Sequence, residues 1–145
     1  NKFRMRFSHI LREDANNFFS FFDAWAKSAS KTELSPGHFE YRSAHKWLIS
    51  FYITGPNIVD ITLIQVTPTL QKQGIGTGLL KAVCAAADRA GVVLALIADE
   101  SNVDYTDVED GELPDSWLQG WYANAGFEYT GESNDYGPEM RREPQ

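Results

Sequence analysis

The stretch that decides the fold is Gln-Lys-Gln-Gly-Ile-Gly-Thr-Gly, residues 71–78. It follows an apolar-rich run over residues 60–66 and precedes apolar residues at helical spacing. Glycine permits backbone conformations that other residues avoid, and it leaves no side chain between the main chain and a ligand. The first amides of a helix are unpaired and its dipole adds partial positive charge, so such a stretch suits phosphate. With the charge of Lys72 beside it, the stretch predicts a phosphate-binding loop.

The spacing of the glycines can be compared with the known kinds of phosphate-binding loop. A Walker loop ends in Gly-Lys-Ser or Gly-Lys-Thr, and residues 77–79 are Thr-Gly-Leu. A Rossmann fingerprint needs glycines at its first, third and sixth positions directly after a strand. Here Leu79 takes the sixth position, and residues 67–73 lie between strand and glycine. Asp99 and Glu100 end the next predicted strand as a ribose-binding acid would, so a dinucleotide site stays open as a weaker alternative, as does a simple tight turn.

Composition indicates an ordinary globular protein, a single domain over residues 1–145 with 43% hydrophobic residues. The longest apolar run, residues 92–98, is too short to cross a membrane, and no secretory leader pattern opens the chain. We therefore expect a cytoplasmic protein without a membrane partner. A net charge of −7 argues against nucleic-acid binding and favours cationic partners. Cys84 is the only cysteine, which excludes disulfides and a cysteine zinc site, and no metal is expected.

The first half of the chain predicts a helix followed by antiparallel strands. Residues 2–7 alternate charged and apolar side chains, which indicates a short strand with one buried face. Aromatic residues recur at helical spacing within residues 12–31, and this stripe is interpreted as core. Residues 38–43 and 46–54 are rich in strand-forming residues, and a Gly-Pro-Asn turn leads into a third run, 58–66.

The second half predicts a strand–helix–strand unit with the glycine loop at its mouth. A buried apolar stripe marks residues 75–90 as a helix that Gly91 closes in a left-handed conformation. Residues 92–98 are continuously apolar, which is typical of a parallel strand covered on both faces. A helix over residues 115–125 and strands over residues 127–130 and 138–142 complete the prediction.

Two motifs together resemble the GNAT superfamily of N-acetyltransferases. One is Gln-x-x-Gly-x-Gly over residues 71–76, and the other is Tyr-x-x-x-Gly-Phe over residues 122–127. The resemblance implies an α/β (α+β) fold, a mixed sheet of about six to seven strands with helices on both faces, in the order β-α-β-β-β-α-β-α-β-β. It also implies acetyl-CoA as co-substrate and transfer of its acetyl group to an amine by direct attack.

The resemblance assigns roles to individual residues. Tyr122 becomes the general acid toward the departing thiolate, and the Val66 amide becomes the donor to the thioester oxygen. Asp60, fourteen positions before Gly74, is the candidate base and would act through a water molecule. A strand-end aspartate without chemistry is the alternative. The implied coenzyme-binding residues are Gln65, Val66, Thr67, Gln71, Lys72, Gln73, Gly74, Ile75, Gly76, Thr77 and Gly78.

The acceptor side departs from the family pattern. Asp115 stands where the family often has asparagine, and residues 99–115 form an unusually long loop with eight acids. This spacing does not match a calcium-binding loop. The acids are either a solvated surface or a wall that selects a cationic acceptor, such as a protein lysine, a protein N-terminus, a polyamine or an aminoglycoside. A non-catalytic acyl-CoA-binding or protein-interaction module of the same fold is the alternative function, and the sequence leaves open whether the protein forms a homodimer.

Overall fold

The computed structural model describes residues 2–44, 46–66, 74–99 and 117–145, with side chains from residue 14 onward except that of Trp117. The helices are α1 (Lys2–Trp25), α2 (Ile75–Ala90) and α3 (Trp117–Asn124). The strands are β1 (Ser30–Ser35), β2 (His38–Ser43), β3 (Trp47–Gly55), β4 (Ile58–Val66), β5 (Val93–Ile97), β6 (Glu128–Asn134) and β7 (Gly137–Arg142). None of the described helices is long and apolar enough to span a lipid bilayer.

The seven strands form one mixed sheet in the order β1-β2-β3-β4-β5-β7-β6. Only β4 and β5 pair in parallel, and α2 connects them. A parallel pair needs such a crossover, and the predicted strand–helix–strand unit is confirmed. The end of α2 is also confirmed, since Gly91 adopts φ 71° and caps the helix by donating its amide to the carbonyl of Ala87.

The core lies on one face of the sheet. Here α1 packs against α2, and side chains of all three helices share one cluster with the inward-facing residues of the strands. Phe18 and Phe22 of α1 are fully buried and contact Phe51 of β3 edge to face, so the aromatic stripe is core as predicted. The helices were expected on both faces, whereas the described ones lie on this face only. We call the other side of the sheet the open face.

A β-bulge at Thr62 changes which residues of β4 face the core. Ser50 pairs with Leu63 and Phe51 pairs with Ile61, so Thr62 is the extra residue. An extra residue shifts the alternation of side chains by one position. Ile61 and Ile64 therefore both contact the core, although they are three residues apart. The bulge is held by a 2.7 Å hydrogen bond between the Ser50 and Thr62 hydroxyls.

The prediction of a first strand over residues 2–7 is wrong, because this segment is the beginning of α1. Phe3, Phe7, Ile10 and Leu11 follow i, i+4, i+7, i+8 spacing, so the alternation was a short sample of a longer helical pattern. The helix also ends at Trp25 rather than near residue 31. Ser30–Ser35 forms β1 instead, an edge strand exposed along its whole length that pairs only with β2. A strand without a buried face carries no alternating apolar signal.

Candidate active site

The candidate site lies where β4 and β5 separate. Their parallel pairing runs from Ile58 opposite Val93 to Ile61 opposite Leu96 and stops there. Beyond Ile61, β4 continues to Val66 and pairs only with β3. The end of β4 therefore diverges from β5 and leaves a gap in the sheet.

A cleft opens from this gap on the side of the helices, and we call it the helix-side cleft. Its walls are the second half of β4, the start of α2, the end of β5 and helix α3. It holds about 820 Å³ of space, including its mouth toward solvent. The lining residues are Ile61, Thr62, Leu63, Ile64, Gln65, Val66, Gly76, Thr77, Leu96, Ile97, Asp99, Leu118, Trp121 and Tyr122.

At the start of α2, Gly74 and Gly76 are each required for a different structural reason. Gly74 precedes the helix with φ 76°, a left-handed conformation that favours glycine. A Cβ at Gly76 would lie 3.3 Å from Val66 Cγ2 and 3.6 Å from the Trp121 ring. Gly76 thus lets α2 approach β4 and α3 closely, whereas a Cβ at Gly78 would meet no heavy atom within 4 Å. Of the predicted coenzyme-binding residues, Thr67, Gln71, Lys72 and Gln73 lie outside the described residues.

Tyr122 lies in the wall of the helix-side cleft. It is 3% exposed, and burial raises the pKa of its hydroxyl above the ordinary value, so the group is protonated at neutral pH. The ring packs between Trp121 and Phe127, with centroid distances of 5.1 and 5.5 Å. Within the described part of the chain, the hydroxyl makes no hydrogen bond. The protonated hydroxyl of Tyr122 can therefore donate a hydrogen bond to a ligand in the cleft.

Asp60 lies on the other side of the gap, in a pocket of the open face that we call the open-face pocket. Ile61, Thr62, Leu96, Ile97 and Asp99 line both this pocket and the helix-side cleft, so both cavities border the gap. The remaining lining residues of the open-face pocket are Thr54, Ile58, Asp60, Ala95, Tyr136, Glu139 and Arg141. Asp60 contributes only to the pocket and Tyr122 only to the cleft.

The surroundings of Asp60 act on its pKa in opposite directions. Burial, the largest effect, raises the pKa above its ordinary value, and the charge of Glu139 adds to the rise. The Thr54 hydroxyl, which donates to Asp60 Oδ1 at 3.2 Å, and the positive charge of Arg141 lower it. The net effect is a raised pKa. A half-buried carboxylate with a raised pKa is a better proton acceptor than a solvated one.

The described residues contain no group of three or more metal-ligating side chains. Of the predicted acidic loop, only Asp99 is described, and it lines both cavities. The other seven acids lie outside the described residues, so their role stays a prediction.

Comparisons with known proteins identify the fold. No protein-family model and no curated protein matches the chain. Among solved structures, Gcn5 from Tetrahymena superposes with a TM-score of 0.54 at 14% identity, over 90% of this chain and 86% of that one. The chain has the GNAT fold.

Further GNAT-like structures agree with this assignment. A putative acyl-CoA N-acyltransferase from Klebsiella pneumoniae matches with a TM-score of 0.53 at 14% identity, over 91% of this chain and 90% of that one. The PaiA N-acetyltransferase of Thermoplasma acidophilum, solved in complex with coenzyme A, matches with a TM-score of 0.51 at 15% identity over 73% of this chain. The chain spans only 59% of the PaiA chain. The predicted GNAT fold is confirmed.

The GNAT fold brings together residues that sequence reasoning did not connect. Trp121 lies in the helix predicted over residues 115–125, and its indole covers Gly76 and donates a hydrogen bond to the Thr77 hydroxyl at 3.3 Å. Glu139 and Arg141 were placed in a terminal strand with no function, yet both line the pocket around Asp60. These two residues are brought to Asp60 by the register between β4, β5 and β7. No local pattern in the sequence indicates that register.

Proposed function

We propose that the protein is an acetyl-CoA-dependent N-acetyltransferase that acetylates a primary amine of a cationic acceptor. The observation that carries this proposal is the gap between β4 and β5, which the helix-side cleft and the open-face pocket border from opposite faces of the sheet. Direct transfer requires a thioester and an amine to reach one another from different directions. Two cavities on opposite faces of one gap, with Tyr122 lining one and Asp60 lining the other, favour that arrangement.

The coenzyme occupies the helix-side cleft in this proposal. Gln65 and Val66 line it from β4, and Gly76 and Thr77 line it from the start of α2. The unpaired amides and the dipole at that helix start favour the pyrophosphate. Val66 stays the proposed donor to the thioester oxygen, which gains negative charge as the amine attacks.

The acceptor enters the open-face pocket as an ammonium ion. Asp60 takes one proton from it, through a water molecule, and passes that proton to solvent. The free amine attacks the thioester carbonyl, so a carbon–nitrogen bond forms and the carbon–sulfur bond breaks. Tyr122 gives its proton to the departing thiolate and is reprotonated by the second proton that the nitrogen loses. The products are the amide, the free thiol and one proton in solution.

The charges of the open-face pocket support a cationic acceptor. Asp60, Asp99 and Glu139 contribute three carboxylates, and Arg141 is the one basic side chain among the described lining residues. Carboxylates make strong charge-assisted hydrogen bonds with an ammonium group. A protein lysine, a protein N-terminus, a polyamine and another small amine all satisfy this chemistry.

Two measurements on the purified protein test this function. In a thermal melt, acetyl-CoA at a hundredfold excess over Kd should stabilise the fold by about 2.7 kcal/mol, while NAD and ATP should not. Release of free thiol from acetyl-CoA should then increase when pools of primary amines are added. A melting shift with NAD and none with acetyl-CoA would refute coenzyme binding. A shift with acetyl-CoA but no thiol release with any amine would instead indicate a coenzyme-binding module.

A further inference from the structure

A row of side chains crosses the open face just before the gap begins. Tyr52 pairs with Asp60, Asp60 with Ala95, and Ala95 with Arg141, so these residues lie side by side on β3, β4, β5 and β7. Directly paired residues point to the same face of a sheet, about 5 Å apart. The carboxylate of Asp60 and the guanidinium of Arg141 therefore flank Ala95. All three residues line the open-face pocket, and we call the space over Ala95, between the two charges, the notch.

Arg141 is held at this notch but is not neutralised by a close bidentate partner. Its Nε donates to Glu139 Oε1 at 3.3 Å, and 47% of its side chain is exposed. Within the described part of the chain, its two terminal nitrogens make no hydrogen bond. Glu139 holds the guanidinium through one nitrogen only, so this wall of the pocket carries the positive charge of Arg141 beside the negative charge of Glu139.

An arginine is unexpected in a pocket that attracts a cation, because it repels the ammonium group. The repulsion has a chemical use. Asp60 alone would hold the acceptor as an ion pair, and a protonated amine has no lone pair to attack with. A nearby positive charge lowers the pKa of an amine and also that of a carboxylate, and the effect is stronger for the closer group. A nitrogen over Ala95 lies nearer to Arg141 than the Asp60 carboxylate does, because Ala95 stands between the two residues in the sheet. The arginine therefore repels the proton more strongly on the nitrogen than on the carboxylate, and it promotes the transfer.

We propose that Arg141 is a positioning residue whose charge drives the acceptor ammonium, lying over Ala95, to release its proton to Asp60. This inference rests on the proposed function. The atoms balance as in the transfer above: the nitrogen–hydrogen bond breaks, its proton moves to Asp60 through water, and the lone pair attacks the thioester. Arg141 stays protonated throughout.

Several other groups face the notch, and the test must separate Arg141 from them. Tyr52 and Thr54 lie beside Asp60 on β3, Glu139 follows on β7, and Glu128 pairs with Arg141 on β6. Asp99 and Tyr136 line the same pocket. A matched control exists on β2, where Arg42 and Glu40 form the same two-residue ion pair at 3.1 Å, with Arg42 64% exposed.

The first test needs no acceptor. The side-chain carboxyl carbon of Asp60 is assigned by NMR through its loss in Asp60→Asn and then titrated. In Arg141→Gln the pKa of Asp60 should rise, in Arg141→Lys it should stay near the wild-type value, and in Arg42→Gln it should not change. An unchanged titration of Asp60 in Arg141→Gln overturns the inference, even in an enzyme that acetylates amines.

The second test uses spermidine, n-butylamine and a lysine-containing peptide as acceptors, with thiol release as the readout. Arg141→Gln should lower kcat at pH 7 about threefold to tenfold, since one unit of pKa changes the deprotonated fraction about tenfold. The loss should disappear at high pH, where the amine is free, and acceptor KM should fall because the repulsion is gone. Arg141→Lys should restore the wild-type profile.

The outcomes distinguish the two proposals. A kcat loss that is equal at all pH values, or an acceptor KM that rises, identifies Arg141 as a structural or binding residue and overturns the inference while the acetyltransferase stands. Absence of thiol release with every amine refutes the proposed function, and the inference falls with it.

Discussion

The clearest stability prediction concerns Arg142, which joins four parts of the site's scaffold. It is 5% exposed on the helix side of β7 and donates to both carboxylate oxygens of Asp88 on α2, at 2.6 and 3.0 Å. Its Nε donates to the carbonyl of Ala125 after α3, at 2.7 Å. The amide of Gln145 in the C-terminal tail also donates to Asp88, at 2.9 Å. Arg142 therefore fixes the end of the helix that carries Tyr122.

Arg142→Met keeps an unbranched apolar chain in place of the aliphatic part of the arginine and removes its three hydrogen bonds. Removing one partner of a buried ion pair costs about 3–5 kcal/mol. Asp88 retains 27% exposure and can recover some hydration, so the cost should be near the lower limit, about 3 kcal/mol. For a domain of this size each kcal/mol lowers Tm by roughly 3 °C, so we expect a decrease of roughly 9 °C.

The stability lost in Arg142→Met should be larger at neutral pH than at acidic pH. The hydrogen bonds from Arg142 lower the pKa of Asp88, with burial opposing them. A lowered carboxyl pKa contributes stability that is present above the unfolded value, about 3.9, and is lost as pH falls through the folded value. The difference between wild type and Arg142→Met should therefore be largest at pH 7 and should decrease below about pH 4.

Urea unfolding followed by tryptophan fluorescence at pH 7 and pH 3 measures both effects. Arg42→Met is the matched control, because its single ion pair with Glu40 is exposed and should be worth less than about 1 kcal/mol. A loss in Arg142→Met no larger than in this control, or one independent of pH, would contradict the assignment of Arg142 as a structural tie.

Three further predictions concern the site itself. Tyr122→Phe should slow turnover in the thiol-release assay and leave coenzyme affinity in the melting assay nearly unchanged; lost affinity would assign Tyr122 to binding. Asp60→Asn should lower the rate at neutral pH within the range of general-base effects, about 10²–10⁴-fold, and recover at high pH, and an unaltered pH profile would return Asp60 to a structural role. Gly76→Val should abolish the melting shift with acetyl-CoA because its side chain would force α2 away from Val66, whereas Gly120→Ala on α3, where a Cβ meets nothing within 4 Å, should retain the shift.

The sequence by itself determined the elements around the glycine loop. The boundaries of α2 and β4 agree with their apolar patterns, and Gly91 closes α2 as predicted. The resemblance also placed Tyr122 and Asp60, which the structure brings to two sides of one gap. These signals are local: helical periodicity, strand composition and the conformational freedom of glycine are all written in neighbouring residues.

Only the tertiary structure decided how distant strands align. The pairing of Asp60 with Ala95, and of Ala95 with Arg141, joins residues about 80 positions apart in the chain, and a one-residue slip would point them to the opposite face. The bulge at Thr62 and the end of β4–β5 pairing after Ile61 likewise follow from contacts between strands. The prediction of a first strand over residues 2–7 was wrong for a related reason. Six residues that alternate between charged and apolar are compatible with either a strand or a helix. In the structure the segment continues into the following residues as one long helix, α1.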